Sequence, residues 1–163
     1  MSNNENKVYE VLKELNINFE KREHPAVFTC EEAEEFTGDM RGVHTKNLFL
    51  RNYKGNNHYL VVTKDSKTLN IKEFEKRIGE KNMSFASKER LMKYLGLTPG
   101  GVSIFGLIND ETNSVKLIMD KSILENEYIN SHPNANTATV NLSVNDLKKF
   151  VKWSGNEVEY LDI

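Results

Sequence analysis

Apolar side chains recur at Val8, Val11, Leu12 and Leu15, a three-and-four spacing that predicts a helix over Glu5 to Leu15. The period then changes. Ile17-Asn18-Phe19 begins an alternating stretch that reads as a short strand ending near His24-Pro25. Thr29, with Glu32 three residues on, is a capping box for a helix to Phe36. Leu48-Phe49-Leu50 and Tyr59-Leu60-Val61-Val62 are strand-like, and Lys54-Gly55-Asn56-Asn57 between them is turn chemistry, so a hairpin is expected. Asn70 and Ser87 are N-cap residues for two further helices, which stop at Gly79 and Gly96.

In Leu97-Thr98-Pro99-Gly100-Gly101, proline fixes φ and the glycines permit positive φ, which demands a tight loop. Val102 to Ile108 and Val115 to Met119 are apolar stretches on either side of a turn at Asn109 to Asn113. Tyr128 to Ser131 and Ala138 to Leu142 read as strands around a polar insertion, His132-Pro133-Asn134-Ala135-Asn136. Ser143 caps an amphipathic helix with Leu147, Phe150 and Val151 inward, stopped by Gly155, and Glu157 to Ile163 is a closing strand. Strands and short helices intermix with no regular βαβ repeat, internal repeat or linker. The expectation is one α+β domain over residues 1–163, with a mixed, curved sheet and helices packed outside.

Composition narrows the class. Apolar residues make up 38% and charged residues 28%, which suits a globular chain. No apolar run reaches bilayer length and the N-terminus lacks a secretory apolar region, so a cytoplasmic protein is expected, with no membrane partner. Cys30 is the single cysteine, which rules out an intrachain disulfide and a multi-cysteine metal site. The net charge of −2 argues against coating a nucleic acid, and leaves room only for a small contact at one end of an RNA.

Several chemistries are missing. There is no phosphate-binding P-loop, dinucleotide fingerprint, HExxH or Cys/His cluster, so no metal or cofactor is expected. Gly101-Val102-Ser103-Ile104-Phe105-Gly106 misses the GxSxG nucleophile elbow by one residue, and a loop serine more often caps or turns. Cys30 sits at a helix start beside acidic residues, where packing is the simpler role. Two polar segments remain. Val43-His44-Thr45-Lys46-Asn47 feeds into a buried strand, and alternation puts Lys46 on the face of Leu48; Lys46 is either a solvated strand-end lysine or the rim of a site. The His132 to Thr139 segment places a histidine and two amides between apolar strands, either as an Asn-stabilised turn or to orient a ligand.

The runs "HTKNLFL…YLVV", "LTPGGVSIFGLIND" and "HPNANTATV", with "DLKKF", a terminal "EVEYLDI" and an early "EHPAVFTCEEAEE", resemble the YbaK/prolyl-tRNA synthetase-associated domain family. The matches keep the family's order from Val8 to Ile163, and are most similar to its ProX-type freestanding branch, which hydrolyses alanyl-tRNA(Pro). The resemblance implies an α+β editing domain that removes a mischarged amino acid from tRNA(Pro), acting as a monomer on the acceptor end, with prolyl-tRNA synthetase as a further partner. It implies that Lys46 binds the phosphate or ribose of the terminal adenosine, and that Gly100 and Gly101 help position substrate and water within a GxxxP element. His132 then bounds the aminoacyl pocket, as wall or as general base, with Asn136 and Thr137 continuing its motif. Val27, Phe28, Val43, Asn47, Ser103 and Ile104 are the further candidates for substrate contact. Ile104 replaces the usual proline and stiffens the loop less.

An aminoacyl ester is already activated, so holding it, placing a water and stabilising the oxyanion suffice. A pocket built for proline cannot strongly reject alanine, since lost apolar contacts are worth only ~1–3 kcal/mol. A second, smaller pocket can. The alternatives are deacylation of cysteinyl-tRNA(Pro) or another small aminoacyl-tRNA, and a non-catalytic module that senses an amino acid or aminoacyl-tRNA.

Overall fold

The computed structural model describes residues 3–163. Helix α1 (Asn3–Glu14) buries Val8, Tyr9, Val11 and Leu12, and leads into β1 (Phe19–Glu23). The Thr29 hydroxyl caps α2 (Cys30–Thr37) by accepting from the Glu32 N–H at 3.1 Å. The Glu32 carboxylate reaches back to the Phe28 N–H at 3.0 Å, one residue beyond the usual capping-box partner. The hairpin strands are β2 (Val43–Arg51) and β3 (His58–Lys64), and β2 starts in the polar Val43–Asn47 segment ahead of its apolar run. Side chains of Asn70, Ser87 and Ser143 cap α3 (Ile71–Ile78), α4 (Lys88–Leu95) and α5 (Val144–Ser154), and each helix stops at a glycine.

Between α3 and α4 lies β4 (Ser84–Phe85), too short to leave a periodic trace. The first apolar stretch after the glycine loop is a 3-10 helix, Ile104–Asn109, whereas the second is strand β5 (Val115–Asp120). The turn is started by the Ser103 hydroxyl, which accepts from the Phe105 N–H, and Ile104, Phe105, Gly106 and Leu107 are all inside the protein. Strands β6 (Tyr128–Ser131), β7 (Ala138–Ser143) and β8 (Val158–Leu161) complete the set.

The strands form one mixed sheet in the order β1-β7-β6-β2-β3-β5-β8, with β4 also on β2. The β1–β7, β6–β7, β2–β3 and β2–β4 pairs are antiparallel, and β2–β6, β3–β5 and β5–β8 are parallel. Strand alternation sorts the apolar residues onto two faces. Phe49, Leu60, Val62, Leu117 and Met119 join the large core with α1, α4, α5 and the 3-10 helix. Leu50, Tyr59, Val61 and Ile118 meet Phe74 of α3 and Met83 on the other face. Among the described residues, no helix is long and apolar enough to cross a membrane.

The large core is anchored by Phe150, fully buried and edge-on to Phe105 with ring centroids 5.1 Å apart. Phe150→Ala is expected to lower the unfolding free energy by about 3–5 kcal/mol, measured by urea denaturation.

Candidate active site

Strands β2 and β6 run parallel for two residue pairs, Val43 with Ile129 and His44 with Asn130. Past that point the Asn130 carbonyl accepts from the Thr45 hydroxyl at 2.7 Å, so a side chain takes the place of the next ladder bond. The far end of β2 pairs instead with β4, through Leu50 and Arg51. A wedge is left between β2 and β6. It holds a cavity of about 210 Å³, lined by His44 to Asn47 of β2, Asn130 and Ser131 of β6, and the first turns of α2. That volume is below the ~300–1,000 Å³ typical of drug-sized ligand pockets, and suits a small group.

The cavity is closed on one side by two loops that hold each other. Thr98-Pro99-Gly100-Gly101 is a type II turn: the Gly101 N–H donates to the Thr98 carbonyl at 3.1 Å, and Gly100 has φ +91°. Only Gly100 faces the cavity, with space for an added Cβ 3.5 Å from the Asn136 amide and 3.6 Å from the Phe28 ring. Asn136 clamps Val27 twice, accepting its N–H at 3.1 Å and donating its side-chain amide to its carbonyl at 3.0 Å. Ser103 is fully buried; its hydroxyl donates to the His132 carbonyl and accepts from the Phe105 N–H. This ties the glycine loop to the His132 loop. Ile104 is fully buried in the large core behind it.

His132 presents one nitrogen to the cavity chemistry. Its Nδ1 lies 2.9 Å from the Ala138 carbonyl, which can only accept, so Nδ1 carries the proton and Nε2 keeps its lone pair. Burial pushes the His132 pKa down, the Ala138 carbonyl works against this, and His24 adds repulsion. The His24 ring stands 6.3 Å from it and is held by the Thr139 hydroxyl at 2.9 Å and the Pro25 carbonyl at 2.8 Å. Asn130 on the wall and Asn141 behind it both donate to the Arg41 carbonyl, at 3.0 and 2.8 Å, fixing the entry to β2. Gly42 is required there, because a Cβ would lie 2.4 Å from the Tyr128 carbonyl oxygen.

Three cavity residues have buried polar atoms without a hydrogen-bond partner: His44 Nε2, Asn47 Oδ1 and Ser131 Oγ. Ser131 is 4% exposed. Natural interiors satisfy such atoms, so unpartnered ones gathered at a cavity point to ligand contact. Cys30 also lines the wall, but burial first, and Asp65 next, push its thiol pKa up against the pull of Lys46. A thiol held protonated is a poor nucleophile. Among the described residues, no group of three or more His, Cys, Asp and Glu side chains is arranged to hold a metal.

The aminoacyl-tRNA editing domain profile matches residues 24–150, which include every residue of the cavity wall. The chain belongs to the aminoacyl-tRNA editing domain family. It is 44% identical over 152 residues to the prolyl-tRNA editing protein ProX of Acetoanaerobium sticklandii, covering 93% of each chain. It is 34% identical over 147 residues to the prolyl-tRNA synthetase associated domain-containing protein 1 of Mus musculus, covering 88% of this chain and 86% of that one. A solved structure, provisionally assigned as a trans-editing enzyme for prolyl tRNA synthetase, has the same fold. Its TM-score is 0.74 at 20% identity, over 99% of this chain and 98% of that one.

Within this editing domain, Lys46, Asn47, Val27, Phe28, Gly100 and His132 of the sequence-derived candidates share the cavity wall. The others stand behind it. Val43 packs against the large core one residue before the wedge, Asn136 holds Val27, and Thr137 borders a separate hollow with Glu5, Glu23 and His24. The Gly101 N–H is spent on the turn, which leaves Gly100 alone of the two glycines to face a substrate. Sequence reasoning missed Ser131, Thr139, Asp65 and the α2 residues Ala33 and Thr37. Thr139 and Ala33 lie inside the family-like runs without having been singled out, whereas Asp65 and Thr37 sit at a strand end and on a helix face outside them, and Ser131 directly precedes the histidine.

Gly100→Ala is expected to cost about 1–2 kcal/mol in thermal or urea unfolding, because the strain is in the backbone rather than in contacts. The His132 imidazole is expected to titrate below the usual 6.5 in an NMR pH series. Its depressed pKa means stability present above the unfolded-state value is lost as pH falls through the folded one. His132→Gln should flatten that acid limb.

Proposed function

We propose that the chain, read as one editing domain over residues 1–163, hydrolyses the ester of mischarged alanyl-tRNA(Pro) in trans. Water attacks the carbonyl carbon, the bond to the ribose oxygen breaks, and alanine and tRNA(Pro) are released. The observation that carries this reading is the small cavity of about 210 Å³, set within the family-matched span, with Lys46 and the unpartnered Ser131, Asn47 and His44 atoms on its wall. The likeness to ProX, named as a prolyl-tRNA editing protein, supports tRNA(Pro) as the carrier and prolyl-tRNA synthetase as the source of the error.

Each group then has a task its chemistry permits. Lys46, a compact cation with three donors, takes a phosphate or ribose oxygen of the terminal adenosine. The Gly100 N–H faces the developing oxyanion, and the Ser131 hydroxyl orients ester or water. Neutral His132 offers Nε2 as an acceptor for the water or the ribose hydroxyl. The ribose hydroxyl beside the ester relays the proton. Val27 and the His132 ring line the cavity, and on this reading they form the end that admits a methyl group and excludes the proline ring. The protein needs no cofactor for these steps and works as a cytoplasmic monomer.

The test is a deacylation panel of alanyl-, cysteinyl- and prolyl-tRNA(Pro) with purified protein. Hydrolysis of the alanyl ester, with the prolyl ester left at its spontaneous rate, is the expected result. Lys46→Ala should lower kcat/KM by about tenfold to a hundredfold, the worth of a hydrogen bond to a charged group. Preference for the cysteinyl ester would reassign the substrate; saturable binding without turnover would make the protein a sensor.

A further inference from the structure

Among the described residues, Lys46 bears the only ammonium and Asp65 the only carboxylate on the cavity wall; the rest is apolar, hydroxyl, amide, thiol or imidazole. Both are half-buried, and among the described residues neither charged group has a hydrogen bond or an ion pair, with each other or with anything else. The backbone holds Asp65 firmly. It lies one residue past the β2–β3 ladder, where Thr45 faces Lys64, and its N–H donates to the His44 carbonyl at 2.9 Å. Both charges act on one point. Burial raises the Cys30 thiol, Asp65 adds to that and Lys46 opposes it.

Elsewhere Lys67 meets the fully buried Asp120 at 2.7 Å and Lys116 lies between Glu157 and Glu159, while among the described residues the half-buried Lys64 and Asp146 side chains are unpaired. What sets Lys46 and Asp65 apart is that both charges line one cavity. Partial burial of an unpaired charge costs solvation that nothing in the fold returns. Two opposite charges kept apart in one cavity are complementary to a ligand with an anion at one end and a cation at the other. An aminoacyl-tRNA terminus has that layout, with its phosphate on the nucleotide side and the α-ammonium on the amino acid.

We infer that Asp65 is the ammonium-recognition residue of the cavity, accepting from the free α-ammonium of the esterified amino acid while Lys46 takes the nucleotide end. This rests on the editing reading above and adds a specificity to it. The protein selects a free amino group, and so discriminates against N-acylated esters such as peptidyl-tRNA, which carry an uncharged amide at that position. Asp65 shapes binding of the substrate and is not asked to move a proton.

The experiment compares alanyl-tRNA(Pro) with N-acetyl-alanyl-tRNA(Pro), each rate divided by its own spontaneous hydrolysis, for wild type, Asp65→Asn and Asp65→Glu. Wild type should favour the free amine by about tenfold to a hundredfold in kcat/KM. Asp65→Asn should bring that ratio close to one, through a higher KM for the free amine with kcat little changed, and Asp65→Glu should restore part of it. Circular dichroism melts check that both variants fold. A ratio unchanged in Asp65→Asn overturns the inference, whether or not overall activity drops, as does a wild type that hydrolyses both esters equally. A wild type inactive on every aminoacyl-tRNA instead removes the editing reading itself, and this inference with it.

Discussion

Strands β2 and β6 touch through two residue pairs and then separate, because the Thr45 hydroxyl takes the Asn130 carbonyl that the ladder would otherwise use. The site depends on that separation. A continued parallel ladder would fill the space between His44–Asn47 and Asn130–Ser131 with backbone. The separation begins at a fixed place because Asn130 and Asn141 grip the Arg41 carbonyl and Gly42 lets the chain pass against Tyr128. Buried amides with few spare partners make this a rigid hinge point, since moving either strands polar groups away from water.

The loops that complete the wall are stiffened by hydrogen bonds rather than by a proline at position 104. Ser103 binds the His132 carbonyl, Asn136 binds Val27 at two points, and the Pro99-Gly100 turn closes on Gly101. Ile104 contributes by filling the core under the loop, where its side chain is fully enclosed. Without a proline at 104 the loop is anchored by these cross-loop bonds, and Ile104 is not among the residues lining the cavity.

The chemistry fits a substrate that brings its own activation. An ester needs a held carbonyl, a water and a place for negative charge, and among the described residues the wall offers neutral donors and acceptors with one cation, Lys46, and one carboxylate, Asp65. The thiol of Cys30 and the hydroxyl of Ser103 are not positioned as nucleophiles: the first is held protonated, and the second is buried in loop contacts. The residues of the site divide into those that line the cavity, such as Lys46 and Ser131, and those behind the wall that keep it in shape, such as Asn136 and Asn141.

Local signals carried most of the elements. Caps at Thr29, Asn70, Ser87 and Ser143 and stops at Gly79, Gly96 and Gly155 are short-range geometry, readable wherever the side chain and the amide it binds are three residues apart. The family likeness and the positions of Lys46, Gly100 and His132 were legible too, because motifs are contiguous. What the chain alone does not contain is the strand order and which side chains meet. The 3-10 helix at Ile104–Asn109 depends on the Ser103 cap, itself tied to the distant His132 loop, and β4 on pairing with a distant strand. Ser131 and Asp65 enter the site only because β6 and the end of β3 are brought to the same wedge, and a residue's solvation and partners are set by neighbours far away in sequence. The amino-acid sequence thus determined the elements and the family; the tertiary structure decided the cavity, by choosing where two parallel strands stop pairing.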